Sequence, residues 1–129
     1  MILLQMAVAT SGLAKDRRVS FCTVLDHRER FEGKRIAFQG LLSVELTHGS
    51  VFIDRHCKHG LLAKGISDER FARQMKPFLY SADMLGPDDV LAATFTGVVK
   101  RQRSLMRPSD EEYFIEILEM KNPRKERRP

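Results

Sequence analysis

From Lys34 to Leu46 the chain alternates, with Ile36, Phe38, Gly40, Leu42, Val44 and Leu46 on one face and Arg35, Ala37, Gln39, Ser43 and Glu45 on the other. A period of two is the signature of a β-strand, and a strand over 34–46 is longer than the usual five or six residues. At its centre, Gly40 has no side chain to pack, and a glycine in that place marks a bulge or a sharp bend. The pattern recurs in a second long strand over 90–102, again with a central glycine, Gly97. Two long strands that both bend at mid-length specify a strongly curved sheet, and the rest of the chain has to fit around it.

The remaining segments supply helices and shorter strands. Ser20 is a good N-cap, and Val19 can staple to Val24 across it. Phe21, Val24, Leu25, Arg28 and Phe31 then follow helical spacing up to Gly33, which predicts a helix over 21–31. The turn 47–50 leads into a strand over 51–54 and completes a hairpin with the first long strand. Ile66-Ser67-Asp68 repeats the helix-start pattern, with Phe71, Met75, Phe78 and Leu79 as the buried stripe. Pro77 lacks an amide donor, so this helix is expected to end near Lys76. Gly86-Pro87 breaks the chain again, and strands over 90–102 and 112–120 flank a basic loop at 103–110. The order helix, bent strand, short strand, helix, bent strand, strand gives an α+β fold.

At 129 residues the chain has the length of one domain. Its 43% hydrophobic and 30% charged residues are those of a folding chain and not of a disordered one. No apolar run reaches the roughly 20 residues that a bilayer-crossing helix needs. The net charge of +5 raises nucleic acid as a partner, but its distribution matters. Residues 121–129 carry five Lys/Arg against one Glu, whereas residues 19–120 hold 14 Lys/Arg and 15 Asp/Glu. The expected organisation is a signal-like or disordered segment at 1–18, a nearly neutral folded body at 19–120 and a basic disordered tail at 121–129. The tail is either solvated or grips phosphate or another acidic surface.

Met1 to Ala14 form an apolar stretch with Gly12 and Ala14 placed as in a signal-peptidase site, although no Lys or Arg precedes it. Export to the periplasm or beyond is therefore expected, with a mature chain beginning near Lys15. A cytoplasmic protein with an ordinary N-terminal strand or helix is the alternative. Two cysteines, Cys22 and Cys57, bear on the same choice. In an oxidising compartment an even count reads as a disulfide, and in the cytosol as two buried thiols.

The run Gly33-Lys34-Arg35-Ile36-Ala37-Phe38-Gln39-Gly40, followed by Gly49 and Val51-Phe52-Ile53-Asp54, resembles the opening hairpin of OB-fold domains. The chain over 19–120 is also similar to small exported bacterial OB-like proteins of unknown function. In those proteins a cysteine before the hairpin and another just after its second strand recur, and Cys22 and Cys57 fit these places. The resemblance implies an OB-like, strongly bent β-sheet or barrel, with one helix before it and a second between its strands. It also implies a Cys22–Cys57 bridge.

Catalytic signatures are sparse: the sequence contains no GxSxG, P-loop, GxGxxG, HExxH or paired CxxC motif. Cys22, at a predicted helix N-terminus, and Cys57, beside His56 and His59, are the candidates for a cysteine enzyme. His56, Cys57 and His59 also form the densest run of metal-ligating side chains, although neighbours at a strand end point in opposite directions. For single-stranded nucleic acid, the candidates are Lys100, Arg101, Arg103 and Arg107 for phosphates and Phe52, Phe95 and Tyr113 for base stacking. The alternating phenylalanines read more readily as core. The resulting expectation is a non-catalytic binding or accessory module for an unidentified ligand or protein, without a cofactor. A nucleic-acid binder is the first alternative and a cysteine or metal enzyme the second.

Overall fold

The computed structural model describes residues 17–45, 49–65, 69–80, 84–104 and 106–129. The expected signal-like residues 1–16 and the cap residues Ile66, Ser67 and Asp68 lie outside this set. The first glycine-centred strand is β2 (Arg35–Glu45), which follows a two-residue strand β1 (Arg17–Arg18) and two short helices, α1 (Phe21–Asp26) and α2 (Arg28–Phe31). After it come β3 (Gly49–Ile53), β4 (Leu61–Gly65), α3 (Glu69–Tyr80), β5 (Asp89–Arg103) and β6 (Glu111–Arg127). Together they make a six-stranded mixed sheet with three helices, a small α+β fold. No helix among the described residues is long and apolar enough to cross a membrane.

β2 serves several neighbours. Its first part pairs antiparallel with β5 over Arg35–Leu42, and its last part pairs antiparallel with β3 over Leu41–Glu45. β3 continues antiparallel to β4, β4 runs parallel to β6, and β6 is antiparallel to β5. The pairing thus returns to β2, so that the sheet closes on itself. The enclosed space is filled by Phe38, Phe52 and Phe95, with Phe21 of α1 packed against them and neighbouring ring centroids 4.8–6.1 Å apart. Ile36, Leu42, Leu91, Val99, Ile115, Ile117 and Met120 complete the buried core.

Each of the two long strands has a close approach at its central glycine. A Cβ on Gly40 would lie 2.8 Å from the Phe38 ring, and one on Gly97 would lie 2.7 Å from the backbone oxygen of Glu116. At Gly97 the ladder also slips: Thr96 pairs with Glu119 and Gly97 with Ile117, which leaves Leu118 as an extra residue in β6. This is a β-bulge, the usual way for a strand to bend and twist more strongly.

Several elements differ from expectation. Helix 21–31 is interrupted at His27, whose N–H bonds the carbonyls of both Thr23 and Val24. The Ser20 cap does form, its side chain accepting from the Thr23 N–H at 3.1 Å. α3 runs through Pro77 to Tyr80 and does not stop at Lys76. One amide donor is lost, but Phe78 is buried one turn beyond Met75, and the Leu85 N–H bonds the Phe78 carbonyl at 2.8 Å. The last turn is therefore held by packing and by the chain that follows. α3 is fixed to β6 by Gln74, whose side-chain amide donates to the Met120 carbonyl at 2.7 Å and accepts from the Met120 N–H at 3.1 Å.

Both ends of the expected domain also shift. Arg17 and Arg18 join the sheet, parallel to Ile36 and Ala37. The basic residues 121–127, expected as a disordered tail, form the end of β6 and pair with Asp89–Thr94. A second bulge accommodates this extension where Asn122 takes a positive φ of 53° ahead of Pro123. Asparagine tolerates that left-handed conformation, and a bulge is one of the few places where a sheet accepts proline. The positive charge thus belongs to the folded body.

Gly97→Ala is expected to destabilise the protein by about 1–3 kcal/mol, the usual cost of forcing extra volume into a packed core. Urea unfolding followed by circular dichroism measures it, and an unchanged midpoint would show that β5 and β6 can separate without loss.

Candidate functional site

One edge of β2 is occupied by β5, so β1 and β3 share the other. β1 covers Ile36 and Ala37, and β3 takes over only at Leu41. Between them Phe38, Gln39 and Gly40 have no strand neighbour on that edge. A groove of about 700 Å³ opens there, walled by Arg18, Val19, Ser20, Phe21 and Cys22 of the N-terminal segment together with Asp54 and His56 from beyond β3. Ala37, Phe38, Gln39 and Thr94 form its floor. A second hollow of about 260 Å³ shares Gln39, Asp54, His56 and Thr94 and extends towards Arg55, Arg124 and Glu126. Gln39 and Thr94 meet because they are register partners across β2 and β5. Arg55 and Arg124 both pair with Glu126, at 3.3 and 2.8 Å, and close the far end with charge.

The near wall is strapped. Cys22, in the first turn of α1, and Cys57, four residues after β3, are paired at disulfide distance with Cα atoms 5.7 Å apart. Cys57 packs on the core, so the pair ties the N-terminal segment to the β3 end of the groove. Asp54 lies beside it. Its Oδ1 accepts from the His56 N–H at 2.8 Å, a turn in which a side chain bonds the backbone two residues on. The same oxygen is 3.5 Å from the Cys22 Sγ. A sulfur committed to a disulfide has no proton to donate, so the backbone bond from His56 orients the carboxylate.

The cysteines are thus brought together, while the other expected sets are regrouped. His56 lines the groove and His59 is exposed. Among the described residues, the metal-ligating atoms close to Cys57 are those of Cys22 and Asp54, so His56–Cys57–His59 is not the cluster. Of the expected stacking rings, Phe52 and Phe95 are 0% exposed and 4.8 Å apart within the core, so neither presents a face to a base. Tyr113 is half-buried, with the guanidinium groups of Arg28 and Arg101 5.5 and 5.9 Å from its ring centre. Lys100 pairs with Glu116 at 3.0 Å, and Arg101 pairs with Glu32 and Glu111. Lys100 and Arg101 are strand neighbours and point to opposite faces of β5. Arg103 and Arg107 remain exposed on the loop side. The expected nucleic-acid residues therefore do not form one basic, aromatic surface.

Gln39, Thr94, Ser20 and Arg18 were not legible as site residues. Their meeting depends on strand register, which has no local signature. Comparison with protein-family models, curated proteins and solved structures finds no match to this chain.

The strap gives a direct expectation: Cys57→Ser should destabilise the oxidised protein by about 2–5 kcal/mol. Unfolding of wild type with and without reductant should show the same difference. A reductant effect near zero would mean that packing alone holds α1 to the β3 end.

Proposed function

We propose that the chain is an OB-like, non-catalytic binding module that works in an oxidising, extracytoplasmic compartment. It takes its ligand in the groove between Arg18, Gln39, Asp54, His56 and Thr94. The observation that carries this reading is the gap in strand pairing at Phe38–Gly40, which opens a polar-walled groove on an otherwise closed sheet. Its volume lies in the range of small-molecule sites, about 300–1,000 Å³. Charged side chains above a floor that combines Ala37 and Phe38 with the polar Gln39 and Thr94 suit a compact polar ligand that also offers one apolar face.

Strand order supports the OB-like assignment. Counted from β2, the five strands of the closed circuit follow the order first, second, third, fifth, fourth and back to first. The third and fifth are parallel, and α3 lies between the third and fourth. OB-folds are five-stranded Greek-key barrels of this kind, and the Gly33–Gly40 and Val51–Asp54 hairpin supplies the first two strands. The Cys22–Cys57 pair is compatible with export, because disulfides persist where thiols are not continually reduced.

Groove binding is tested by amide chemical-shift mapping of labelled protein against a library of polar fragments. Hits are expected to perturb Gln39, His56 and Thr94 together. A parallel titration with a thymidine oligonucleotide tests the competing partner. Perturbation confined to residues 100–107, with affinity falling steeply as salt rises, would replace this reading by nucleic-acid binding. Export is tested by mass spectrometry of the protein from its native compartment. The expected species begins near Lys15 and carries two cysteines that resist alkylation until reduced. An intact Met1 with two alkylatable thiols would refute export.

A further inference from the structure

The Sγ atoms of Cys22 and Cys57 and a carboxylate oxygen of Asp54 all lie within 4.8 Å of one another, and the three residues are half-buried. We propose that the reduced protein binds one zinc ion through these three side chains, so that disulfide and metal are alternative occupants of one site. The inference is independent of the ligand assigned to the groove.

Geometry and donor chemistry both favour it. Thiolate and carboxylate are ordinary zinc ligands, with Zn–S about 2.3 Å and Zn–O about 2.0–2.2 Å. At a tetrahedral centre those bonds place sulfur and oxygen about 3.5 Å apart, and Asp54 Oδ1 lies 3.5 Å from the Cys22 Sγ. The same centre requires two sulfurs about 3.8 Å apart, so they must separate by less than about 2 Å from bonding distance. Cα atoms 5.7 Å apart leave that movement to side-chain rotation. The His56 N–H holds Asp54 Oδ1 from outside at 2.8 Å, the kind of support that fixes a metal-bound carboxylate. Three protein donors leave a fourth position for water or another small ligand. Two thiolates and a carboxylate exceed the charge of zinc by one, and Arg18 lines the same groove as Cys22 and Asp54. The soft sulfur pair selects against magnesium and calcium.

Conversion needs a dithiol reductant. It transfers two electrons and two protons to the S–S bond, leaving two thiols, and itself closes to a disulfide. Zinc then displaces both protons as it binds the thiolates.

The test uses the full chain, reduced with a dithiol, desalted without oxygen and titrated with Co²⁺ as a spectroscopic probe, followed by Zn²⁺ in competition. Thiolate-to-cobalt charge transfer and the visible bands of tetrahedral cobalt should appear, saturate at one ion per chain and vanish as zinc is added. The oxidised protein should give neither signal. Asp54→Asn keeps both cysteines, so its fold can be verified in the oxidised form, and it should weaken zinc binding by about tenfold or more. His59→Ala should bind as wild type does. No tetrahedral spectrum from reduced wild type would overturn the proposal. So would equal zinc affinity in Asp54→Asn, or a loss in His59→Ala as large as that in Asp54→Asn.

Discussion

The four phenylalanines at the centre are the contact on which the rest of the molecule depends. Phe38, Phe52 and Phe95 come from three different strands and Phe21 from the first helix, with the closest rings 4.8 and 5.0 Å apart in edge-to-face contact. Each such contact adds roughly 0.5–1.5 kcal/mol beyond the burial of its area. A sheet that closes on itself leaves an interior that must be filled without voids. Large flat rings fill it, but only if the strands bend tightly around them. Gly40, against the Phe38 ring, and Gly97, against the Glu116 backbone, allow that approach. Phe21 in turn draws α1 onto the cluster, and this brings Cys22 within reach of Cys57.

Legibility in the sequence followed the range of the interaction. The period-two runs around Gly40 and Gly97 and the Ser20 cap are local, and each is present in the structure. The break at His27 and the survival of α3 past Pro77 reflect what lies across from them. In the second case the burial of Phe78 outweighs one lost amide donor. β4 is not anticipated, because Leu61–Gly65 includes residue types that are poor in strands, Ala63, Lys64 and Gly65, and of its two partners, β3 and β6, the second lies some fifty residues away. The end of β6 was misread for the converse reason. Its charge and proline look like a tail until Asp89–Thr94 is seen to need a partner.

The candidate site shows the same division. That Cys22 and Cys57 belong together could be inferred from their positions around the hairpin. That Asp54 joins them, in place of His56 and His59, depends on a turn in which its carboxylate folds back onto the His56 amide. The Gln39–Thr94 floor exists because β2 has no strand neighbour on one edge for three residues. The aromatic side chains that sequence alone offers as stacking platforms are the ones the closed sheet consumes as filling, so burial removes Phe52 and Phe95 from the surface.

The irregular end of β6 has a consequence for how the molecule meets others of its kind. Among the described residues, no strand pairs with the outer edge of β6 beyond Ile117; the Gln74 side chain of α3 takes up the Met120 backbone there, and past Met120 the edge has no strand partner. An edge of that length is an invitation to strand addition and runaway association. Here Pro123 withholds a donor, the Asn122 bulge twists the edge out of line, and Lys121, Arg124, Lys125 and Arg127 repel an identical edge. The basic residues that resembled a loose tail thus act as a guard that keeps one copy of the sheet from extending into the next.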